Sequence, residues 1–397
     1  MALHLDPPCR AEHIGSLLRP QTLIAKRFEY EGQKCSHEDL QVVENDSIPA
    51  VVKLQQEVGI KSITDGELRR GAFYQGMFET LGGMTVVPER SLSTFKAYLP
   101  YVAIFHMMGL TEYSSIYTTA TAGKIERTKG VHTEDFKFLR GLVVPEDVKY
   151  VKIPICGPTW MHLRHGTEHT YDKSVYASDA EYFEDLIKAY REEIDELYQL
   201  GCRNIQFDDP TFAFFCAESM ITGMEQAGIN HEGLLDMYIE IYNRILAGRP
   251  GDLTVGVHTC RGNFKGMHYC EGSLERIAEK YFRNLDVDCY YLEYDTERSG
   301  GFEPLRFLPR NKIAVLGLVS TKVPQLENIA ELKARIEEAA MIVSEGEPKR
   351  SRQDALNQLC LSPQCGFASV FEGNPISEEE ERRKLELVVE VAKQIWV

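Results

Sequence analysis

The sequence predicts an α/β fold, a (β/α)8 TIM barrel that carries an insertion after its second strand. Three observations lead there. Eight short β-branched or aromatic runs, each ending in polar residues, recur along the 397 residues. Stretches with helical periodicity fill the gaps between them, and such alternation marks a parallel sheet. The count of eight favours closure of that sheet into a barrel. A doubly wound open sheet is the competing arrangement, and no G-x-G-x-x-G follows any run to support it.

The runs are residues 10–16 (RAEHIGS), 62–67 (SITDGE), 151–158 (VKIPICGP) and 204–210 (NIQFDDP). They continue with 254–260 (TVGVHTC), 290–295 (YYLEYD), 313–320 (IAVLGLVS) and 359–366 (LCLSPQCG). Between the third and fourth runs, Ser178 with Glu181 three positions on predicts a capped helix start. Phe183, Leu186, Ile187, Tyr190, Ile194 and Leu197 follow at helical spacing, and Gly201 supplies the stop. Leu332, Ile336, Ala339, Ala340 and Val343 form a similar stripe. Ser377 with Glu380 opens a last helix whose Leu385, Val388, Val389, Ala392 and Trp396 share one face. Residues 72–150 break the rhythm. They are too long for an ordinary connection and contain strand-like text at 113–128, with a turn expected at Ala122–Gly123. We read them as an insertion in one catalytic barrel domain spanning 1–397: either a β-rich flap over one end or a surface decoration.

Composition narrows the function. Forty-four Lys and Arg against sixty Asp and Glu leave a net charge of −16. Such a surface repels phosphate backbones and disfavours a nucleic-acid partner. No run approaches the roughly 18 apolar residues of a membrane span. The first ten residues have neither secretory nor transit-peptide character, so a cytoplasmic location is expected. Ten cysteines in a chain this long are too sparse for a disulfide scaffold. They read as core thiols with a few ligands or nucleophiles among them.

The polar residues gather at the C-terminal ends of the expected strands, where barrel enzymes build their sites. Four are good zinc ligands: His258 and Cys260 after the fifth run, Glu293 after the sixth and Cys365 after the eighth. His258 and Cys260 are two apart, so an extended segment presents both on one face. A mixture of thiolate, imidazole and carboxylate suits zinc better than magnesium or calcium. H-x-C alone is weak evidence. Four ligand types at strand ends on one side of one barrel are stronger.

These residues stand within longer motifs. HTCRGNF (258–264), LEYDTERSGGFEPLRFLP (292–309), GLVSTK (317–322) and LCLSPQCGFAS (359–369) resemble the cobalamin-independent methionine synthase family. RAEHIGSLLRP (10–20), ITDGELRR (63–70) and IQFDDP (205–210) are similar to it as well. The likeness is greatest to short single-barrel members and covers nearly the whole chain, with only residues 72–150 loosely matched. It implies a zinc-dependent methyltransferase with one zinc held by His258, Cys260, Glu293 and Cys365. His258, Cys260 and Cys365 then belong to the catalytic centre, and the carboxylate is the ligand that gives way to a homocysteine-like thiol. A free thiol titrates near 8.5, and coordination to a cation removes its proton at neutral pH.

The same resemblance assigns substrate anchors. Ile14, Gly15 and Ser16 receive the carboxylate of the amino-acid thiol, and Glu67 and Asp208 bind its ammonium. Asp209, Arg19, Arg69 and Arg70 are further candidates near the mouth. Trp160 and His162 fall where the family places part of its methyl-donor surface. One departure bears on the donor. The family's proton-donating histidine in the seventh strand is Val319 here, and expelling a tertiary amine without protonation is chemically difficult. A sulfonium donor leaves as a neutral thioether and needs no acid. The expected partners are therefore a small-molecule thiol and a methyl donor, with a sulfonium preferred over methyltetrahydrofolate. Lys322 or His162 as a substitute acid keeps the folate open. Two other readings stand beside this one: alkyl-transfer or lyase chemistry on another thiol, and a non-catalytic thiol- or metal-binding barrel. A zinc hydrolase ranks last, because two thiolates make a poor Lewis acid. Pairing of two copies as a homodimer is left open.

Overall fold

The computed structural model describes residues 6–111 and 114–396. The first polar run leads into two helices, Gln21–Glu31 (α1) and His37–Val58 (α2). Ser36 caps α2 by accepting from the Asp39 amide, and the Asp39 carboxylate returns the bond to the Ser36 amide. Such a reciprocal cap contributes on the order of 1 kcal/mol. Gly59, at φ 92°, closes the helix in the left-handed region.

The insertion carries strand and helix in nearly equal measure. Strands Gly82–Ser91 (β1) and Ser115–Glu126 (β2) pair antiparallel, with helix Pro100–Met107 (α3) between them. The expected turn at Ala122–Gly123 is corrected: both residues lie inside β2. Gly123 serves a close backbone approach instead. A Cβ on Gly83 opposite it, at φ 78°, would stand 2.1 Å from the Lys124 carbonyl, and the register shifts there. Tyr113, where the strand-like text begins, and Met1–Leu5 of the amino-terminal reading lie outside the described residues.

After the insertion the alternation is regular. Lys152–Cys156 (β3) leads to helices Trp160–His169 (α4) and Asp179–Gln199 (α5). Asn204–Asp208 (β4) and helix His231–Leu246 (α6) precede Thr254–Thr259 (β5), Cys289–Glu293 (β6) and Ile313–Val319 (β7). Helix Ile329–Glu345 (α7), strand Leu359–Pro363 (β8) and helix Glu378–Ile395 (α8) complete the chain. All six residues of the α5 stripe are buried, as are all five of the α7 stripe. In α8, Leu385, Val388, Val389 and Ala392 are buried. Trp396, just past its end, is half-buried with its indole donating to the Leu356 carbonyl.

The sheet is parallel and runs β3-β4-β5-β6-β7-β8 in space as in sequence. The first two runs are not regular strands, yet they bridge its two edges. Glu12 donates to the Leu361 carbonyl at 2.8 Å and Leu361 to Arg10 at 2.9 Å, while Lys152 donates to Ile63 at 2.8 Å. Leu17 donates to Gly66 at 3.0 Å, which joins the two runs to each other. Positive φ at Gly15 (145°), Gly66 (68°) and Glu67 (55°) breaks the ladder there. Among the described residues, no helix is long and apolar enough to cross a membrane.

Candidate metal centre and its cavity

The register of the sheet starts the site. Asp208, the last residue of β4, pairs with His258 in β5. The Asp208 Oδ1 stands 3.1 Å from His258 Nδ1, so the imidazole donates from Nδ1 and leaves the Nε2 lone pair free. That Nε2 is buried and has no hydrogen-bond partner. An orphaned nitrogen of this kind calls for an explanation, and a missing ligand is a common one.

Cys260, one residue past β5, and Cys365, two past β8, bring their sulfurs to 3.4 Å. Glu293, the last residue of β6, places Oε1 3.6 Å from Cys260 Sγ. One ligand atom from each of His258, Cys260, Glu293 and Cys365 lies within 4.8 Å of the others. The loops that carry them are braced. The Arg261 amide donates to Glu293 Oε2 at 3.1 Å and the Gly262 amide to Cys260 Sγ at 3.1 Å. Asn263 donates to the Gly366 carbonyl at 2.8 Å, tying the β5 loop to the β8 loop.

Without a cation the group is electrostatically frustrated. Burial pulls the His258 imidazolium down, but Asp208 and the Cys365 sulfur outweigh it and raise the pKa to about 10. Burial also opposes ionisation of Cys365, yet the Cys260 thiol and His258 hold it well below its usual range. Cys260 is pushed up, first by sharing its proton with Cys365 and then by burial. Burial likewise raises Glu293. A divalent cation relieves all of these at once, because it stabilises both thiolates and the carboxylate. The donor set of two sulfurs, one imidazole and one carboxylate fits zinc.

The cluster opens into a cavity of about 230 Å³, lined on one side by His258, Cys260, Cys365, Ser16, Glu67 and Asp208. Ile14 also lines it. Gly15 does not, but its missing side chain lets the chain pass: a Cβ there would meet Pro154 at 2.8 Å and Glu67 Oε1 at 3.1 Å. Ser16 Oγ accepts from the Ala368 amide at 3.4 Å. Glu67 is held at φ 55°, a strained conformation for a residue with a side chain. Burial pushes its carboxyl up to about 8, against Arg70, which pulls it down. Asp208 does more than face the cavity, since Oδ1 serves both His258 and the Gln206 amide.

The other candidates sort by what they touch. Asp209 lines the cavity but is bonded to Thr159, Tyr242 and the Thr211 amide. Arg19 donates to the carbonyls of Leu17, Ala368, Glu67 and Arg70, Arg70 to those of Pro154 and Phe73, and Arg69 pairs with Asp135 at 3.0 Å. None of the three arginines lines the cavity. The two substitute acids have partners of their own. Lys322 Nζ donates to Gly262 O at 2.9 Å and Asn263 Oδ1 at 3.1 Å, and His162 is engaged by Tyr238 at 2.8 Å and Asp179 at 3.2 Å. Neither lines the cavity, and nor does Val319. Trp160 does, packed among Phe73, Tyr74, Tyr101 and Phe214. The sequence reading missed Arg164, which also lines the cavity from α4. Its spacing of four from Trp160 puts both on one helix face, the one signal that was available.

Residues 166–394 match the family described as cobalamin-independent synthase, catalytic domain. The chain belongs to that family. It is 37% identical to an uncharacterized protein, YxjG, of Bacillus subtilis over 98% of this chain and 95% of that one. It is 24% identical to a methionine synthase of Saccharolobus solfataricus over 94% and 95% of the two chains. Among solved structures, a putative vitamin-B12 independent methionine synthase of Listeria monocytogenes superposes with a TM-score of 0.72, at 30% identity and 98% coverage of both chains. A B12-independent methionine synthase of Shewanella, solved with selenomethionine, gives 0.68 at 21% identity and 97% coverage, a likeness of fold.

Proposed function

We propose that this protein is a zinc-dependent methyltransferase that methylates a homocysteine-like thiol. The observation that carries the reading is the convergence of His258, Cys260, Glu293 and Cys365 on one point at the wall of a closed-in cavity. These four would hold the ion, and when bound it supplies a cationic centre that lets a substrate thiol lose its proton at neutral pH. The remaining work falls to the chain itself. Asp208 fixes the His258 tautomer. Glu67 and Asp208 offer carboxylate to the substrate ammonium, and the 14–16 turn offers the Ser16 hydroxyl and backbone to its carboxylate. Residues 72–150 act as the cover that keeps water out, through Tyr74, Tyr101, Phe105 and Ile116, which line the cavity.

In the reaction the thiol sulfur forms a bond to the methyl carbon, the bond from carbon to the donor's leaving atom breaks, and its electron pair stays with the leaving group. The thiol proton is released to solvent. We favour a sulfonium donor, because the seventh-strand position is Val319 and neither Lys322 nor His162 reaches the cavity. The cytoplasm, where thiols stay reduced, is the compartment that suits this chemistry. The test is to assay zinc-loaded protein with homocysteine and either a sulfonium or methyltetrahydrofolate, reading methionine by mass spectrometry. Turnover with the sulfonium is expected. Efficient turnover with methyltetrahydrofolate alone overturns the donor, and turnover with neither overturns the reading.

A further inference from the structure

We propose that Arg164 binds a carboxylate on the methyl donor, so that the cavity selects donors carrying a negative charge. This deepens the methyl-transfer reading and rests on it. The Arg164 guanidinium is 3% exposed and lines the cavity. Its carbon lies 5.1 Å from the Tyr74 ring centroid, 4.9 Å from Phe95 and 5.5 Å from Trp160. Aromatic faces stabilise a cation but supply no counter-charge and no acceptor for the N–H groups at its edge. Among the described residues no carboxylate stands within ion-pair distance of it. Its side-chain bonds are long, 3.4 Å to Thr118 Oγ1 and 3.9 Å to Met161 Sδ, and Nε has no partner.

One neighbour shares this condition. The Trp160 indole nitrogen is buried without a partner, the Tyr101 hydroxyl faces Arg164, and both residues line the cavity. Arg164 Nε and Trp160 Nε1 are thus two unsatisfied donors beside one cavity. Buried donors are normally paired, so such a place is a binding surface for acceptor atoms. Arg19 and Arg70 differ because carbonyls take their terminal N–H groups and neither lines the cavity, although Arg19 Nε is also unpartnered. The cavity wall also carries the carboxyls of Glu67 and Asp208, which offer an anion no cation. A carboxylate therefore finds its place at Arg164, whose planar fork matches two oxygens at once. A cationic donor with no acid group would meet this guanidinium uncompensated, whereas a sulfonium that carries its own carboxylate would not.

The test is a binding measurement, independent of turnover. The full chain is titrated calorimetrically with 3-(methylsulfanyl)propionate and with its neutral amide, each with and without saturating homocysteine. The acid is expected to bind at least tenfold more tightly than the amide. Arg164→Met should abolish that preference, and Arg164→Lys should retain part of it, with homocysteine affinity unchanged in both. Equal affinity for acid and amide in the unaltered protein overturns the proposal, and so does a preference that survives Arg164→Met. If Arg164→Met does not fold, the unaltered protein and Arg164→Lys still decide. Because no methyl group moves, this result stands apart from success or failure of the assay for methyl transfer.

Discussion

Two buried polar clusters sit inside this fold, and they are finished differently. Near the N-terminal end of β3, Lys152 and Glu12 form an ion pair at 3.0 Å with both side chains fully buried. Both Glu12 oxygens are used, one by Lys152 and the other by Ser62 and the Cys9 amide. Lys152 also donates to the His13 carbonyl and lies 4.7 Å from the Tyr291 ring centroid. At the C-terminal strand ends the groups that could take a ligand are left open: His258 Nε2, Arg164 Nε and Trp160 Nε1 are all buried and unmatched. An ion pair whose two charges are both met holds the sheet to the first run. A cluster that leaves donors and acceptors open is built to receive something.

The strongest way to break this comparison is to remove a sulfur. Cys365→Ser should cost nearly all stoichiometric zinc and at least about 100-fold in methyl transfer, beyond the effect of losing an orienting residue. Zinc per chain by mass spectrometry checks it, and retained zinc would sink the metal assignment. Lys152→Met is the converse experiment. It strands the buried Glu12 charge and should lower stability by about 3–5 kcal/mol in urea unfolding, with zinc per folded chain unchanged. A loss below about 1 kcal/mol would mean that this ion pair is not structural. Asp208→Asn touches the boundary between the two, since it weakens the hold on the imidazole and leaves the four ligands in place. Zinc affinity should drop about 10–100-fold in chelator competition.

How much of this was legible depended on what kind of signal each part leaves. The four candidate ligands could be picked out because H-x-C and the strand-end glutamate and cysteine each sit in a motif of unusual residues, and the structure brings them together. The α5 and α7 stripes were readable because burial repeats at helical spacing, and all eleven residues are buried. The first two barrel runs were placed correctly in space but not in form, because positive φ at Gly15, Gly66 and Glu67 is a tertiary demand that no propensity encodes. Gly123 read as a turn because glycine marks turns and close backbone approaches alike, and only the partner strand distinguishes them. Arg164 left only its spacing from Trp160 as a signal, for a related reason. An arginine in a helix is normally solvated, and the rings around it come from residues 74, 95 and 160, far apart in the chain.

The smallest expected effect sharpens the structural side of the comparison. Glu381, in the first turn of α8, is 1% exposed, and its Oε1 accepts from the Leu18 amide at 3.1 Å. Burial pushes its carboxyl up to about 8, while the Leu18 hydrogen bond pulls it down, from an ordinary value of 4.5. Between those two values the folded chain keeps a proton that the unfolded chain releases. Stability therefore falls as pH rises through that window, by at most about 1.4 kcal/mol per unit, and levels off above it. Glu381→Gln keeps an acceptor for Leu18 and never ionises. It should match the unaltered protein near pH 4 and exceed it by about 1 kcal/mol or more at pH 8. Urea unfolding at successive pH values checks this, and a difference that does not grow with pH would show that Glu381 is ionised in the folded chain. A buried acid that serves only to close a helix onto the sheet gains from losing its ability to ionise. The open cluster above β5 should lose zinc under the equivalent change, Asp208→Asn, and that opposite response separates the two kinds of buried polar group.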